Sequence, residues 1–600
     1  FCMFGNYLKI ALRNLIRNKT YSFINILGLA VGMAVCILIM LYVHYEVSYD
    51  KHHVYGDRTY RVTRNYLDGS GSITGEMSTI APSFILLLEE NFPEIEHCAR
   101  FYKGKDKVLR YEEKTFVETE LFYVEDDIFE IFTIPFVSGN PKTALTEPLT
   151  IVLSESASKK YFGDEDPVGK MLIMDDKDAF KITGVMEDLP ENTHFHFDIL
   201  VSYITLKATS EDYLFGRENF SDNVTRAYLR LAEGVDGKAF ELKIPAMLDD
   251  HFGEMQYENG GIYYASEYVQ LELMKVSDIH LYSHKLGEAE PNGDIKYVTL
   301  FTLIAMIILL IACINFVNIA TARAGTRAKE VGLRKVVGAN KGKLVIQFVS
   351  ESILITMCSL IFSLVIVEIV LPYYNSFLGY EQKLNLLSNS MNPLIILLVL
   401  LITGITAGLY PAFYISNFKP AQILRGAITR GKRGARIRRL LVIFQFVISI
   451  VLLICVSVVF KQMQYINDID LGYDKENVLL VPADAVIVEK WREVKEELLR
   501  NPDIIAATAS KRSPTGILAD APGFQTEVYG EIKQNTVHMP HCRTEHDFLK
   551  TYGVEVIAGR DFSTDFPTDS LQAFIINETA VRQLGWKEPE EAIGAPMKAN

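Results

Sequence analysis

The chain has 600 residues, 49% hydrophobic and 22% charged, with a mean hydropathy of +0.14 and a formal net charge of −14. That length exceeds what one hydrophobic core organises, and that hydropathy points away from a wholly soluble protein, so apolar spans must alternate with polar domains. The acidic balance offers no general attraction for nucleic acid, and no such partner is expected.

Residues 1–20 carry Lys9, Arg13, Arg17 and Lys19 and no acid. On a helix Lys9, Arg13 and Arg17 share one side and Leu8, Leu12 and Leu15 another, which suits a helix lying on the cytoplasmic leaflet. Thr20–Tyr45 is free of formal charge and predicts a membrane span over 21–45. It is too long for a secretory signal, and no small-residue cleavage site follows it. Residues 46–296 read as a mixed α/β domain outside the membrane. Within it "LTIVLSES" (149–156) is a β-rich run whose Ser/Glu end caps the helix "SASKKYF", "GDEDPVGK" (163–170) is turn chemistry, and "FKITGV" (180–185) is strand-like. Tyr297–Ala322 predicts a second span, 297–322. The basic segment 323–343 follows, then a third span over 344–370, whose run Leu344–Val367 is interrupted only by Glu351. An outer loop (371–393), a fourth span (394–415, within the charge-free run Leu384–Phe418), a basic linker (416–439), a fifth span (440–460) and a second outer α/β domain (461–600) complete the order. Even the shortest run is about 31 Å long as a helix, against a bilayer core of roughly 30 Å.

Charge sets the orientation. The N-terminal segment, the segment after the second span and the linker after the fourth hold 19 basic residues against the single acid Glu330. The positive-inside rule puts all three in the cytoplasm and both large domains outside. Cys36, Cys313, Cys358 and Cys455 fall in spans, leaving Cys98 and Cys542 one to each outer domain, so no disulfide framework forms within either.

An internal repeat overlies this plan. "DIFEIFTIPFVSGNPKTAL…LTIVLSESASKKYFGDEDPVGKML" (127–172) returns as "DFLKTYGVEVIAGRDFSTDF…FIINETAVRQLGWKEPEEAIGAPM" (547–597), with Phe129 matching Leu549, Gly139 matching Gly559, Ser154 matching Asn577 and Gly169 matching Gly594. Each copy follows a span, so the chain reads as two tandem halves. Completing the second would take roughly 200 further residues with about three more helices.

Four stretches, "LRNLIRNKTYSFINILGLAVGM" (12–33), "INFVNIATARAGTRAKEVGLRKVVGANKGKLVIQFVSES" (314–352), "GLYPAFYISNFKPAQILRG" (408–426) and "LLVIFQFVISIVLL" (440–453), together with the two outer repeats, resemble the FtsX-like ABC transporter permeases with MacB-like core domains, in their duplicated eight-span form. The resemblance implies an α-helical transmembrane bundle, five spans here of about eight, carrying two mixed α/β MacB-like extracytoplasmic domains. It implies a bacterial inner-membrane location, a separate ABC ATPase subunit that binds the ATP–Mg, a second permease chain as homodimer partner, and an outer-face adaptor or envelope protein. The function it implies is export or extraction of a peptide, lipoprotein or other envelope substrate by ATP-driven movement of the outer domains. The alternative is a non-transporting protein in which the same movement regulates an envelope enzyme or sensor.

In that family the loop after the second span docks on the ATPase, which assigns the role to Arg327, Glu330, Val331, Gly332, Arg334, Lys335 and Gly338. As a helix, Arg327, Glu330 and Arg334 share a face with Glu330 and Arg334 at i,i+4, Leu333, Val336 and Val337 lie on the other, and Gly338 is a stop. "GANKGKL" (338–344) is one residue short of a phosphate-binding loop and lacks its Ser/Thr, so no cofactor is expected on this chain and it is not expected to be an enzyme. Gly28/Gly32 and Gly404/Gly408 are small-xxx-small pairs that allow close helix approach, within one chain or between two. Asn315, Asn318, Gln347, Glu351 and Gln445 are polar residues toward the cytoplasmic ends of spans, read first as interhelical glue. His538, His541, Cys542 and His546 do not converge on a strand and no metal site is expected there. His194 and His196 alternate on a strand edge as surface or packing residues.

Overall fold

The computed structural model describes residues 13, 16–68, 70–208, 218–256, 261–322, 331, 333–337, 340–384, 391–416, 432–483, 485–514, 523–528 and 531–599. Among the described residues five helices are long and apolar enough to cross a membrane: α1 (Lys19–Glu46), α2 (Ile295–Ala322), α3 (Lys341–Leu378), α4 (Met391–Ser416) and α5 (Lys432–Asp468). The chain divides into two units, Phe1–Ser449 and Ile450–Asn600. Of the N-terminal segment, Arg13 and Arg17 are helical and exposed, while Leu8, Lys9, Leu12 and Leu15 lie outside the described residues.

The helices outrun the expected spans where polar side chains can still hold them. α3 continues to Leu378 through Pro372, eight residues into the expected outer loop. The backbone bond Pro372 forfeits is offset locally: Tyr374 Oη donates to Leu38 O, Asn375 Nδ2 donates to Gln382 O, and Gly379 closes the helix in the left-handed region at φ +82. At its start the Asn340 side chain accepts from Gly342 N. α5 likewise runs past 460 to Asp468 through the polar stretch "KQMQYIND".

Between α1 and α2 the first unit folds into a mixed α/β domain. Its strands are β1 (Thr59–Leu67), β2 (Ile73–Met77), β3 (Ile95–Lys103), β4 (Lys107–Tyr111) and β5 (Lys114–Glu118). Then come β6 (Leu121–Val124), β7 (Phe136–Gly139), β8 (Thr150–Ser154), β9 (Met171–Met174) and β10 (Asp178–Met186). Last are β11 (Ile199–Ser202), β12 (Arg226–Leu231), the short pair β13 (Met255–Gln256) and β14 (Ile262–Tyr263), and β15 (Val269–Lys275). All but β13 and β14 join one 13-stranded sheet in the order β15-β1-β12-β3-β6-β11-β8-β10-β9-β4-β5, with β2 on β1 and β7 on β10. Among the described strands of this sheet β8–β10 and β6–β11 pair in parallel and the other pairs are antiparallel. Helix Pro82–Asn91 packs Phe84, Ile85 and Leu88 on Val62 and Leu229, and helix Glu155–Phe162 packs Ala157 and Tyr161 on Ile151 and Leu153. A third cluster centres on Phe101, Phe132, Phe195 and Tyr228. Each such side chain removed from water contributes about 1.5–3 kcal/mol.

The predicted strand, cap and turn around 149–185 form as the residues dictate. β8 ends at Ser154, whose side chain accepts from Ala157 N, and the helix stops at Gly163 with φ +64. The repeat carries the same local geometry into the second unit. Helix Phe548–Thr551 stands where Ile128–Ile131 does, and helix Glu578–Leu584 where Glu155–Phe162 does. Asn577 accepts from Ala580 N as Ser154 does from Ala157 N. Gly139 and Gly559 have φ +93 and +87, and Gly169 and Gly594 have +88 and +79. The strands differ: 573–577, the counterpart of β8, is unpaired, and the unit's sheet is a small antiparallel one of β16 (Gly523–Val528), β17 (Glu531–His538) and β18 (Met597–Ala599). In the first domain β8 is flanked by β10 and β11, which come from residues 178–202, beyond the stretch that repeats.

Candidate functional site

The membrane helices of the first unit meet at small residues. A methyl group on Gly32 would come within 2.5 Å of Ala312 Cβ, and one on Gly28 within 3.3 Å of Asn315 Nδ2, so α1 and α2 touch almost backbone to backbone. A methyl on Gly408 would lie 3.1 Å from Ser352 Cβ, and one on Gly404 3.9 Å from Ile353 Cγ1, so the second pair seats α4 on α3. Both glycine pairs thus pack within the chain. Leu29, Met33 and Ile37 fill the seam with Ala305, Leu309, Ile355 and Val367. Gln347 and Glu351 are buried on α3, and Asn315 and Asn318 are half-buried on α2, with Asn318 Oδ1 unbonded. Gln445 is half-buried on α5. Glu351 borders a cavity of about 20 Å³ lined also by Tyr21, Phe316, Ala320, Ser352 and Pro411, room for one water.

The segment expected to dock is described at 331 and 333–337 only; Arg327, Glu330, Gly332 and Gly338 lie outside the described residues. What is described has two faces. Val331 is 1% exposed and packs with Leu344, Phe348 and Ala412, and Arg334 Nη1 donates to Gln347 Oε1 at 2.7 Å, fixing the segment to α3. Leu333, Val336 and Val337 are 63%, 61% and 83% exposed, and Lys335 is half-buried beside them.

At the other end of α1 the chain enters the outer domain through a polar joint. An aromatic belt marks the approach: Tyr42 meets Phe301 edge-on, and Tyr45 stacks on Tyr380 with centroids 4.0 Å apart. Glu46 Oε2 then lies 2.9 Å from His280 Nε2, both buried, with the Tyr49 ring stacked on His280. A methyl on Gly293 would sit 2.7 Å from that carboxylate and 3.0 Å from His280 Nε2, so the chain passes close against the pair there. Asp50 is buried in the left-handed region at φ +58. Its Oδ1 accepts from Thr193 Oγ1 (2.8 Å), His194 N (3.2 Å) and His194 Nδ1 (2.9 Å). His194 Nε2, 2.8 Å from Tyr228 Oη, is then the ring's acceptor, a tautomer inferred from these partners. Burial opposes ionisation of Asp50, but the His194 contact and the converging donors outweigh it and hold its carboxyl well below the usual range. Asp50 N donates to Asn192 O, Asn192 Nδ2 to Ser48 Oγ, Tyr45 Oη to Glu191 O, and Glu381 N to Glu191 Oε2. The loop 190–194 of the outer domain is therefore bonded to the end of α1 and to the turn after α3. On the α2 side, Arg61 is fully buried and clamps Glu288 through both oxygens, at 2.6 and 2.9 Å.

The sequence matches two family profiles: "MacB-like periplasmic core domain" over residues 22–247 and "FtsX-like permease C-terminal" over 302–420. The chain belongs to the FtsX-like, MacB-like permease family. Relatives named macrolide export ATP-binding/permease protein MacB include those of Bdellovibrio bacteriovorus (25% identical over 46% of this chain and 39% of that one), Mannheimia succiniciproducens (23%, 45% and 38%) and Chlorobium luteolum (26%, 46% and 37%). The permease thus spans under two-fifths of the length of these relatives. Among solved structures it is similar to the periplasmic region of MacB from Actinobacillus actinomycetemcomitans (18% identity, TM-score 0.26, 37% of this chain and 91% of that one). It is also similar to the extracellular domain of the transporter YknZ from Gram-positive bacteria (14%, 0.25, 36% and 99%).

The joint is what sequence reading of this permease missed. His194, expected on a strand edge, lies in a loop and is fully buried, because Asp50 and Tyr228 supply the two partners an interior imidazole needs. His196 is half-exposed and pairs with Glu290 at 2.7 Å; that bond and charge raise its pKa despite burial. The available signal was "YDKHH" (49–53) just beyond the first span with His280 and His284 just before the second. Among the described residues no three His, Cys, Asp or Glu side chains are placed to hold a metal, and the six described cysteines are free.

Proposed function

We propose that this permease is the membrane subunit of an ABC-type complex in which a separate ATPase, binding the ATP–Mg that this chain does not, drives motion of the outer domains. The observation that carries the reading is the two-faced cytoplasmic segment: Val331 and Arg334 anchor it to α3 and α4, while Leu333, Val336 and Val337 stand clear as an apolar face for a partner. Force applied there reaches α3 directly, and α3 is bonded at its far end, through Glu381, to the outer-domain loop 190–194. The basic segments face the cytoplasm of a bacterial cell, both large domains lie outside the inner membrane, and a second copy completes the membrane unit. The relatives are named for macrolide export; for this chain the cargo is a peptide, lipoprotein or other envelope molecule, handed on to an outer-face adaptor. Replacing Leu333 and Val337 together with glutamate leaves the buried anchors alone. The variant reaches the membrane at normal levels and loses co-purification with the ATPase and stimulation of its hydrolysis; unchanged binding and turnover would overturn the assignment.

A further inference from the structure

The two copies of the repeat fill one spot differently. In the first, Lys170 follows the left-handed Gly169 and lies at the end of helix Glu155–Phe162. Its ammonium stands over the rings of Phe162, 5.0 Å from the centroid, and Tyr111, 5.6 Å away. Those two rings pack with centroids 4.4 Å apart, and Lys170 Nζ pairs with Glu165 Oε2 at 2.5 Å. Two aromatic rings and a carboxylate thus hold a lysine that the domain itself supplies.

The second copy keeps this frame and lacks the lysine. Gly594 matches Gly169, so Ala595 stands at the place of Lys170. β16 pairs with β18 in the register of β4 with β9: Phe524 faces Ala599 as Leu109 faces Met174, and both partners lie five residues past the matching glycines. Thr526 therefore stands at the place of Tyr111. Both replacements are smaller. The turn from the helix to the second glycine, 585–594, is three residues longer than 163–169 and brings in Trp586 and Glu591. Trp586 packs on Val581 and Leu584 at the end of helix Glu578–Leu584, with Ala595 against the same cluster. A cavity of about 460 Å³ opens here, lined by Trp586, Glu527, Glu591, Ile593 and residues 594–596. That volume suits a small ligand group, for which about 300–1,000 Å³ is usual. Glu591 is oriented by its own turn, its Oε2 accepting from Lys587 N and Glu588 N. Glu527 is exposed and its carboxylate has no ion-pair partner among the described residues.

We propose that this cavity receives a lysine side chain of another protein, its ammonium held by Glu527 and Glu591 and its methylene stem laid along Trp586 and Ile593. The occupant is argued from the first copy, where a lysine fills the same place on aromatic rings beside a glutamate. Two carboxylates in a lining without a basic residue select a cation. Tryptophan is the strongest aromatic partner for one, and the apolar wall suits the stem of a lysine.

The chain has two tryptophans, so in a Trp491→Phe form the emission reports Trp586 alone. The full chain in detergent micelles is titrated with Nα-acetyl-lysine methylamide. Trp586 emission should change to saturation, at a half-saturating concentration at least tenfold below that of the Nε-acetylated compound, which lacks the charge. Glu527→Gln, at an exposed position, should raise that concentration at least threefold. Ala595→Lys gives the second copy the lysine of the first and should abolish the response. Glycerophosphoethanolamine, the soluble headgroup of an amine lipid, should bind at least fivefold more weakly, because its phosphate meets the two carboxylates. An emission that does not saturate, equal responses to the charged and acetylated compounds, or a Glu527→Gln or Ala595→Lys form that responds like the parent would overturn the site. A headgroup that binds as well as the lysine compound would overturn a protein lysine as its occupant.

Discussion

Replacing Gly32 with alanine tests the membrane packing most directly. The added methyl would stand 2.5 Å from Ala312 Cβ. Carbon atoms rest about 3.5–4.0 Å apart, so α1 and α2 must separate by about 1–1.5 Å at this point. The seam around it holds Leu29, Met33, Ile37, Ala305 and Leu309, all buried, and cannot yield that distance without losing contact along its length. Overpacking of this kind costs about 1–3 kcal/mol. It is opposed by the gain of about 0.5–1 kcal/mol that alanine brings to a helix interior over glycine. The net expectation is a loss of about 0–2.5 kcal/mol, from the difference of those two ranges. Ala312→Gly in the same chain removes the opposing methyl and should recover most of it, giving a coupling energy above about 0.5 kcal/mol. Reversible unfolding in mixed micelles, run on the four members of the cycle, measures both terms. A Gly32→Ala that gains stability, or a cycle without coupling to Ala312→Gly, would refute close contact between α1 and α2 at this point.

Two further expectations concern the outer domain and the orientation. Arg61→Met strands the carboxylate of Glu288 and should cost about 3–5 kcal/mol in denaturant melts of the full chain at pH 7. Burial opposes the charge on Glu288, but Arg61 outweighs it and lowers its pKa, so in the parent chain the pair's contribution is complete above the ordinary glutamate value of about 4.3 and is lost as pH falls through the lowered one. The Arg61→Met penalty should accordingly shrink in acid; a penalty independent of pH would count against the pair. A reporter active only in the cytoplasm should work when fused after Gly338 or Gly431 and stay silent after Gly139 or Gly472, and the opposite pattern would invert the orientation.

How much of this was legible beforehand depended on the range of the interaction. The apolar helices follow from local composition, and so do the cap at Ser154, the turn at Gly163–Gly169 and the glycine conformations repeated at 559 and 594, because each is decided by residues within one or two turns. The extension of α3 was not legible: Pro372 reads as a stop, and what carries the helix past it is a bond from Tyr374 to Leu38, more than 300 positions away. The joint was hidden for the same reason. Asp50 and His194 are separated by 144 residues and Glu46 and His280 by 234, and nothing near either partner announces the other. Val331 could be read as apolar, but its burial depends on Ala412 from another helix.

The position of β1 in the sheet bears on how the protein is made. β1 lies between β12 and β15, whose residues, 226–231 and 269–275, are the last strands of the domain's large sheet to be synthesised. At about 5–20 residues per second, the Thr59–Val62 part of the first strand waits roughly 10–40 s with both hydrogen-bonding edges open, while β2 covers one edge of Arg64–Leu67 soon after it is made. The domain closes only as α2 arrives at the membrane, so sheet completion and insertion of the second helix are one event in biogenesis. A nascent chain stalled before residue 269 would display the β15 edge of β1 open to any export-side chaperone or protease.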